Sequence, residues 1–331
     1  MNILVSGSAG YIGANFCHEV LKLNHVVLGV DNYLNSSSSI TKTLKMIHKK
    51  NFSFLELDLK KTNNFFTTEL QSFKPDLVVH FAALKSVSAA ELNPDLYWKN
   101  NIESTINILE AAKNAGCNKM IFSSSAAVYS KSNVLPVNEK SVLEPESIYG
   151  KTKLACENIV KEFCKENSMN AIIFRYFNVS GSHQDKIFFE SSATSENLMT
   201  KIIDVATGRK DELEVFGDDY NTKDGSATRD YLHIEDLLNA HTGLMNLFSQ
   251  IEGFEVFNLG SSTETTVLQL LKEFELANGI KVNYKISKSR CGELPRSLSD
   301  TSKIKAFSGW MAKKSLQDIC FDAWTPNKDE V

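Results

Sequence analysis

Short apolar runs alternate with longer segments of helical periodicity through the first half of the chain. The runs are rich in Val, Ile, Leu and Phe, and polar residues stand mainly at their ends. Continuous apolar runs of this kind are typical of strands that are buried on both faces of a parallel sheet. The pattern predicts six such strands, at residues 3–6, 26–31, 52–57, 77–81, 119–123 and 171–177.

Two segments between these runs show helical spacing most clearly. Apolar residues recur three or four positions apart in residues 102–112 and 154–163, which predicts two amphipathic helices. Strands and helices that alternate this regularly form right-handed βαβ units. We therefore predict an α/β fold with a doubly wound parallel sheet of the Rossmann type.

The alternation ends beyond about residue 180, and the second half is less regular. Segments 181–196 and 217–228 are polar and loop-like. We expect residues 1–178 to form the Rossmann domain, with 231–260 returning to it. Residues 179–331 are expected to form mainly a smaller α+β lobe.

The composition is that of an ordinary globular protein. Of 331 residues, 42% are hydrophobic and 23% are charged, which excludes disorder as the main character of the chain. Thirty-six Lys and Arg residues against 40 Asp and Glu residues give a formal net charge of −4. Because nonspecific nucleic-acid binding needs a surplus of cations, we expect no nucleic-acid partner.

Location is indicated by two further patterns. No stretch reaches the roughly 18 apolar residues of a membrane-spanning helix, and the apolar N-terminal run fits a strand better than a signal peptide. The six cysteines are scattered, with no CxxC pair and no histidine at metal-ligand spacing. We expect no membrane partner, no disulfides, no metal and a cytoplasmic location.

The strongest local motif follows the first predicted strand. Gly7, Gly10 and Gly13 are three residues apart where a helix is expected to open. Glycines there let the backbone approach a pyrophosphate, whose charge meets the helix N-terminus, although a glycine pattern alone also occurs in simple turns. Asp31 ends the second strand, where a carboxylate can bind the hydroxyls of an adenosine ribose and repels a 2′-phosphate. Together they predict a site for NAD rather than NADP.

A candidate reacting centre lies further along the chain. Tyr149 and Lys153 are four residues apart, so they share one face of a helix. A free tyrosine has a pKa of about 10 and is a poor base at neutral pH. A neighbouring ammonium and an oxidised nicotinamide both favour the phenolate. We therefore predict that Tyr149 is an acid–base group whose pKa Lys153 lowers.

Three serines, residues 123–125, follow the fifth predicted strand. A hydroxyl at a strand end can bond the reacting oxygen of a substrate and relay a proton toward Tyr149. No GxSxG elbow surrounds any of these serines, which excludes a Ser-His-Asp hydrolase of that type.

Longer segments add a resemblance over nearly the whole chain. They read HFAALK at 80–85, RYFN at 175–178, NLM at 197–199, FGDDY at 216–220 and RDYLH at 229–233. These segments, with the glycine spacing and the Tyr149–Lys153 pair, resemble UDP-glucose 4-epimerases of the extended short-chain dehydrogenase/reductase family. Ser125 aligns with the active-site serine of that family.

The resemblance implies an NAD-dependent enzyme that interconverts UDP-glucose and UDP-galactose through a transient 4-keto sugar and bound NADH. Tyr149 would take the proton of the sugar 4-hydroxyl while hydride leaves C4, and the keto sugar would turn and receive both on its other face. Lys153 would hold the nicotinamide ribose. Members of the family pair through the helices equivalent to those predicted at 102–112 and 154–163, so we expect a homodimer.

The resemblance also implies the binding residues, with NAD bound mainly by residues 1–178 and the UDP-sugar mainly by residues 179–331. For NAD they are Gly7, Gly10, Tyr11, Ile12, Gly13, Asp31, Asn32, Asn35, Ser36, Asp58, Leu59, Phe81, Ala82, Ala83, Lys85, Asn100, Tyr149, Lys153 and Phe177. For the UDP-sugar they are Lys85, Ser125, Tyr149, Asn178, Asn197, Leu198, Phe216, Arg229, Arg290, Glu293 and Ser297.

One position bears on the choice of sugar. Members of the family restricted to glucose and galactose often carry a bulky tyrosine where this chain has Ser297, and relatives that accept N-acetylated sugars carry a small residue. Ser297 therefore implies that UDP-GlcNAc and UDP-GalNAc are interconverted as well.

Two alternatives stay open. An NAD-dependent nucleotide-sugar 4,6-dehydratase or decarboxylase is one, although dehydratases commonly carry a Thr-Asp-Glu run where residues 125–127 hold no carboxylate. A non-catalytic NAD-binding scaffold is the other, although it could dispense with Tyr149 or Lys153.

Overall fold

The computed structural model describes residues 1–61, 64–191, 195–289 and 294–324. The elements up to the sixth strand are β1 (Asn2–Ser6), α1 (Tyr11–Lys22), β2 (Val26–Asp31), α2 (Ser38–Ile47), β3 (Phe52–Glu56), α3 (Asn64–Phe73), β4 (Leu77–His80), α4 (Val87–Leu92), α5 (Pro94–Asn114), β5 (Lys119–Ser125), α6 (Ile148–Asn167) and β6 (Asn170–Tyr176). The later elements are β7 (Asn178–Ser180), α7 (Leu198–Ala206), β8 (Leu213–Phe216), β9 (Thr228–His233), α8 (Ile234–Met245), β10 (Phe254–Leu259), β11 (Glu264–Thr266), α9 (Val267–Asn278), β12 (Tyr284–Ser287), α10 (Ser302–Ser308) and α11 (Leu316–Ala323).

The main sheet has seven strands in the order β10–β6–β5–β4–β1–β2–β3. The pairs β1–β2, β1–β4, β2–β3 and β4–β5 are parallel, and Ile3 lies opposite Val27 on one side and Leu77 on the other. Strand order that runs outward from β1 in both directions is that of a doubly wound sheet. The predicted fold class is confirmed, and each predicted strand is found to within two residues at either end.

Buried strand and helix residues share one apolar core beside this sheet. Leu4, Val78 and Phe122 from the strands lie in one cluster with Ile108 of α5 and Val160 of α6. Burying each such side chain contributes about 1.5–3 kcal/mol. The two helices predicted from periodicity therefore both contribute to this core, as does α3 through Phe66 and Leu70.

The chain forms two compact units. The first comprises Met1–Ser130, Val142–Arg175 and His241–Phe257, and the second comprises Lys131–Ser141, Tyr176–Ala240 and Asn258–Val331. The second unit therefore also takes in the short segment Lys131–Ser141, and its next segment begins at Tyr176, just before β7, which pairs with β9. Likewise, of residues 231–260, the structure returns only His241–Phe257 to the first unit.

The second unit has a core of its own. It contains the three-stranded sheet β11–β9–β7 and the two-stranded sheet β12–β8. Buried residues of α7, α9 and α11, such as Ile202, Phe274 and Ile319, form one cluster with Val215 of β8 and Tyr231 of β9. This mixture of helices and short strands is the predicted α+β lobe.

Two further features concern the cysteines and the helices. Cys17, Cys117, Cys156, Cys164 and Cys320 are buried free thiols, and the sixth cysteine lies outside the described residues. No helix among the described residues combines the length and apolarity needed to cross a membrane.

Candidate active site

The glycine loop joins β1 to α1 and leaves no room for side chains. Gly7 has a φ of +71°, and a Cβ there would lie 2.6 Å from the backbone nitrogen of Ala82. A Cβ on Gly13 would lie 2.0 Å from the carbonyl oxygen of Gly7. Gly10 precedes the first residue of α1, and no side chain caps that helix. A helix start that its N-cap side chain does not cap suits a bound phosphate.

Asp31 stands beside this loop at the end of β2. One carboxylate oxygen accepts the amide of Ala9 at 3.0 Å, and the other accepts the amide of Tyr33 at 2.9 Å and the hydroxyl of Ser36 at 3.0 Å. These bonds hold the carboxylate at the strand end and tie it to the glycine loop. The carboxylate is half-buried.

Other predicted cofactor residues of the first unit lie after strand ends or on α5. Phe81, Ala82 and Ala83 follow β4 and are half-buried, and Lys85 is exposed. Asn100 of α5 is buried and donates to the side-chain oxygen of Asn101 at 3.2 Å. The remaining ones are Asn32 and Asn35, which are exposed, and Tyr11, Ile12, Asp58 and Leu59, of which only Leu59 is buried.

Tyr149 lies in the first turn of α6, which begins at Ile148. The side chain of Ser147 caps this helix by accepting the amide of Gly150 at 3.0 Å. Tyr149 packs beside the buried Tyr97. Burial raises the pKa of Tyr149 to about 12, although a hydrogen bond with Ser125 acts to lower it. Tyr149 is therefore protonated at neutral pH unless a positive charge is brought to it.

Lys153 lies one turn further along α6 and is 4% exposed. Its Nζ donates to the carbonyl oxygen of Ser123 at 2.8 Å and lies 5.2 Å from the centre of the Phe122 ring. Burial lowers the pKa of Lys153 to about 8, although Cys156 and Glu157 act to raise it. Lys153 can therefore exchange its proton at a pH close to neutral.

Ser125 ends β5 and completes this group. Its Oγ accepts the amide of Ala127 at 3.2 Å, and its side chain bonds that of Tyr149. The turn after β5 and helix α6 come very close, since a Cβ on Gly150 would lie 2.3 Å from the carbonyl oxygen of Ala127. The structure therefore joins Tyr149 to Ser125 and places Lys153 one turn along the same helix, with its ammonium on the Ser123 carbonyl. The pKa of Tyr149 responds to burial, Ser125, Tyr97 and Cys156 and not to Lys153.

Sequence reasoning missed several polar residues that surround this group. Glu157 and Arg175 are buried and form an ion pair of 2.7 Å, and His80 is buried between the hydroxyls of Ser6 and Thr105. The sequence did carry a sign of this ion pair. Arg175 is a charged residue within an otherwise apolar strand, and Glu157 lies one helical turn after Lys153, on the same face of its helix.

The described UDP-sugar residues predicted in the second unit lie on β7, α7, β8 and β9 and in the segments before α7 and α10. On β9, Arg229 Nη1 donates to the carbonyl oxygens of Thr228 and Leu294 at 2.8 and 2.9 Å. On the adjacent β7, Asn178 donates to the carbonyl oxygen of Asp230 at 3.2 Å. The structure therefore brings Arg229 and Asn178 to neighbouring strands.

The other predicted nucleotide residues lie elsewhere in that unit. Asn197 precedes α7 and donates to both carboxylate oxygens of Glu190 at 2.8 Å. Leu198 begins α7 and Phe216 ends β8. The buried Phe177, which was predicted to bind NAD, directly precedes β7. Ser297 is half-buried in the segment before α10. Arg290 and Glu293 lie outside the described residues.

The sequence was compared with those of known proteins and protein families. Residues 3–260 match the model of the "NAD dependent epimerase/dehydratase family". The chain belongs to that family. It is 35% identical to the UDP-glucose 4-epimerase of Bacillus subtilis over 326 residues, which are 98% of this chain and 96% of the relative. The resemblance seen in the sequence is thereby confirmed.

Solved structures are similar over the same length. One is a UDP-glucose-4-epimerase from Stenotrophomonas maltophila with bound NAD and formylated UDP-arabinopyranose, at a TM-score of 0.91, 35% identity, and coverage of 98% of this chain and 97% of that one. Another is the UDP-Glc/GlcNAc 4-epimerase from Campylobacter jejuni, at a TM-score of 0.84, 33% identity and 97% coverage of both chains.

Proposed function

We propose that this protein is an NAD-dependent UDP-hexose 4-epimerase that interconverts UDP-glucose and UDP-galactose through a transient 4-keto sugar. The observation that carries the proposal is the grouping of Tyr149, Lys153 and Ser125 at the end of β5 and the start of α6, in a member of this family. A phenol with an ammonium one helical turn away is suited to moving a proton to and from an alcohol.

NAD fits the residues of the first unit. The glycine loop has no side chain at the positions where a Cβ would meet backbone, which suits the close approach of a pyrophosphate. We assign Asp31 to the adenosine ribose, and Tyr11, Ile12, Asp58, Leu59, Phe81, Lys85 and Asn100 to the remaining contacts. When bound, NAD supplies the acceptor and later the donor of the hydride at C4.

Tyr149 moves the proton of the reaction. The phenolate form takes the proton of the sugar 4-hydroxyl, and the phenol returns it once the keto sugar has presented its other face. Because burial raises the pKa of Tyr149, the phenolate needs positive charge nearby. Lys153 supplies one such charge from the same face of α6, and the Ser125 hydroxyl stabilises the phenolate by donating a hydrogen bond.

The second unit holds the UDP group in this proposal. Arg229 is the described cation assigned to the diphosphate, since a guanidinium presents several donors in a fixed geometry. Asn178, Asn197, Leu198 and Phe216 complete the described set, and Arg290 and Glu293 belong to it by resemblance alone. Firm binding of the nucleotide lets the keto sugar turn without leaving the enzyme.

We extend the proposal to N-acetylated sugars on the basis of Ser297. A serine occupies far less volume than a tyrosine, so it leaves space for a 2-acetamido group. The similarity to a UDP-Glc/GlcNAc 4-epimerase supports this extension. A 4,6-dehydratase is disfavoured, since Ala126 and Ala127 provide no acid beside Ser125.

We also propose a cytoplasmic homodimer. The buried free thiols suit a reducing compartment. Exposed apolar residues of α5, including Leu96 and Ile106, are suited to a self-complementary interface.

The function is tested by incubating purified protein with UDP-glucose and measuring UDP-galactose by chromatography. We expect turnover by the parent protein and a loss of about a hundredfold or more in Tyr149→Phe, which keeps the ring but cannot exchange the proton. Tyr284→Phe, at an exposed position of β12, is the matched control and should behave as the parent. Equal turnover in Tyr149→Phe would contradict the proposed chemistry.

A further inference from the structure

Two opposite charges are buried in the first unit without a part in the mechanism above. Glu157 of α6 is 0% exposed and Arg175 of β6 is 1% exposed. Arg175 Nε donates to one carboxylate oxygen at 2.9 Å and Nη2 to the other at 2.7 Å. Buried pairs of this kind are often no more stabilising than apolar residues of similar volume. The Lys161 ammonium also reaches Glu157, at 3.2 Å, and the remaining contacts of the pair point to a role besides stability.

A third partner links the pair to β5. The hydroxyl of Ser124 donates to Glu157 at 2.6 Å. Ser124 stands between Ser123, whose carbonyl oxygen accepts the Lys153 ammonium, and Ser125, whose side chain bonds Tyr149. Three consecutive residues of β5 are thus bonded to α6: Ser123 to Lys153, Ser124 to Glu157 and Ser125 to Tyr149. Their partners are four residues apart and share one face of α6.

The pair also reaches the segment that follows Ser125. Arg175 Nη1 donates to the phenol oxygen of Tyr129 at 3.0 Å, and its guanidinium carbon lies 4.9 Å from the centre of that ring. Tyr129 directly follows the turn Ala126–Val128, which Ser125 caps. Glu157 and Arg175 therefore hold the chain on both sides of Ser125.

We propose that Glu157 is a positioning residue for the reaction. Through Ser124, and through Arg175 and Tyr129, it holds the end of β5 against α6 so that the Ser125 hydroxyl stays on the phenol of Tyr149. The role in turnover rests on the proposed function, whereas the placement of Ser125 does not.

The placement has a measurable effect on Tyr149. The hydrogen bond with Ser125 acts to lower the pKa of Tyr149 against the effect of burial. If β5 shifts and that bond is lost, the pKa of Tyr149 should rise. A displacement of about 1 Å at a reacting group can cost as much as a hundredfold in rate.

The decisive variant is Ser124→Ala. Glu157→Gln is less informative, because it leaves the Arg175 charge buried without a counter-charge and can unfold the chain. Ser124→Ala keeps that ion pair and removes only the bond between Glu157 and β5. Ser53→Ala is the matched control, since Ser53 also donates from a strand, to the carbonyl oxygen of Val27, on the edge strand β3.

Two quantities are measured on purified holoprotein. The first is the ionisation of Tyr149. It is measured as the difference in phenolate absorbance between each protein and the same protein that also carries the Tyr149→Phe substitution, as the pH is raised. We expect Ser124→Ala to raise its midpoint by about half a unit. The second is turnover of UDP-glucose, in which we expect kcat to fall about tenfold while KM stays within about twofold. Ser53→Ala should change neither quantity.

An unchanged midpoint in Ser124→Ala overturns the positioning role, and it does so even where thermal stability or kcat falls, because such a loss is purely structural. Absence of turnover in the parent protein contradicts the proposed function instead. The Tyr149 titration needs no sugar, so it still decides whether Glu157 positions Ser125.

Discussion

At the scale of single residues, burial acts in opposite directions on the two groups of the candidate reacting centre. It raises the pKa of Tyr149 to about 12 and lowers the pKa of Lys153 to about 8. In both cases burial disfavours the charged form. A phenolate beside an ammonium satisfies each charge with the other. The proposed mechanism therefore requires Lys153 to stay protonated while Tyr149 gives up its proton.

The pH dependence of turnover follows from that requirement. The Lys153 ammonium is present below its pKa and lost above it, so we expect kcat for UDP-glucose to fall as the pH rises past about 8. The Lys153→Arg variant keeps a positive charge at this position, because arginine stays protonated well above pH 8. In that variant the decline should move to higher pH, whatever its overall rate. An identical alkaline decline in both proteins would exclude Lys153 as its cause.

We also propose that the single residue Ser297 decides sugar specificity. Ser297→Tyr fills the space that we assign to the 2-acetamido group. We expect it to lower kcat/KM for UDP-GlcNAc by about a hundredfold or more, because overpacking a fitted site forces neighbours apart. Turnover of UDP-glucose should stay close to that of the parent, and Ser297→Ala should keep both substrates. Assays with the two substrates side by side give the ratio, and a parent that leaves UDP-GlcNAc unchanged would contradict the assignment.

At the scale of elements, the site depends on how closely β5 and α6 approach. The turn after β5 lies against the first turn of α6 at Gly150, where a Cβ would be 2.3 Å from the Ala127 carbonyl oxygen. The same two elements are joined by the bond from Lys153 to Ser123 and by that from Ser124 to Glu157. Because Gly150 has no side chain, β5 and α6 can approach closely enough for the Lys153–Ser123 and Ser124–Glu157 bonds to form.

Gly150→Ala tests this close approach. We expect it to destabilise the protein by about 2 kcal/mol, because the added methyl forces the turn and the helix apart. Gly243→Ala is the matched control, since Gly243 lies within α8 and a Cβ there meets nothing within 4 Å. Alanine in a helix interior is favoured over glycine by up to about 1 kcal/mol. The free energies of unfolding in urea compare the two, and equal stability of both variants would contradict the expected steric conflict.

At the scale of the whole molecule, the two compact units divide the candidate residues. The first carries the glycine loop, Asp31 and the Tyr149–Lys153 pair, and the second carries Arg229 and Ser297. Each unit has its own apolar core. The proposed homodimer would form through the first unit, because α5 exposes apolar side chains there.

Ile106→Glu tests whether this face of α5 joins two subunits. Ile106 is 41% exposed, and a carboxylate placed in an apolar interface is costly to bury. We expect sedimentation velocity to show a dimer for the parent protein and a monomer for Ile106→Glu. Leu276→Glu, on the 69% exposed Leu276 of α9, is the control and should remain dimeric. A monomeric parent would contradict the proposed homodimer.

Much of the fold was predictable because its signals are local. The six parallel strands, the helices over 102–112 and 154–163, and the glycine loop each depend on neighbours within one element. Tyr149 and Lys153 needed only helical spacing to be placed on one face. The boundary of the units was less predictable, because Asn178 belongs to a strand that pairs with β9, far along the chain.

The sequence by itself determined the class of fold, the dinucleotide motif and the reacting pair, because backbone propensity, apolar periodicity and residue spacing act over short stretches of chain. Only the tertiary structure decided what surrounds that pair. Lys153 meets the Ser123 carbonyl across 30 positions, and Glu157 meets Ser124 across 33 and Arg175 across 18. A charge inside a protein depends on the particular groups that folding brings within bonding distance, and no short stretch of sequence contains them.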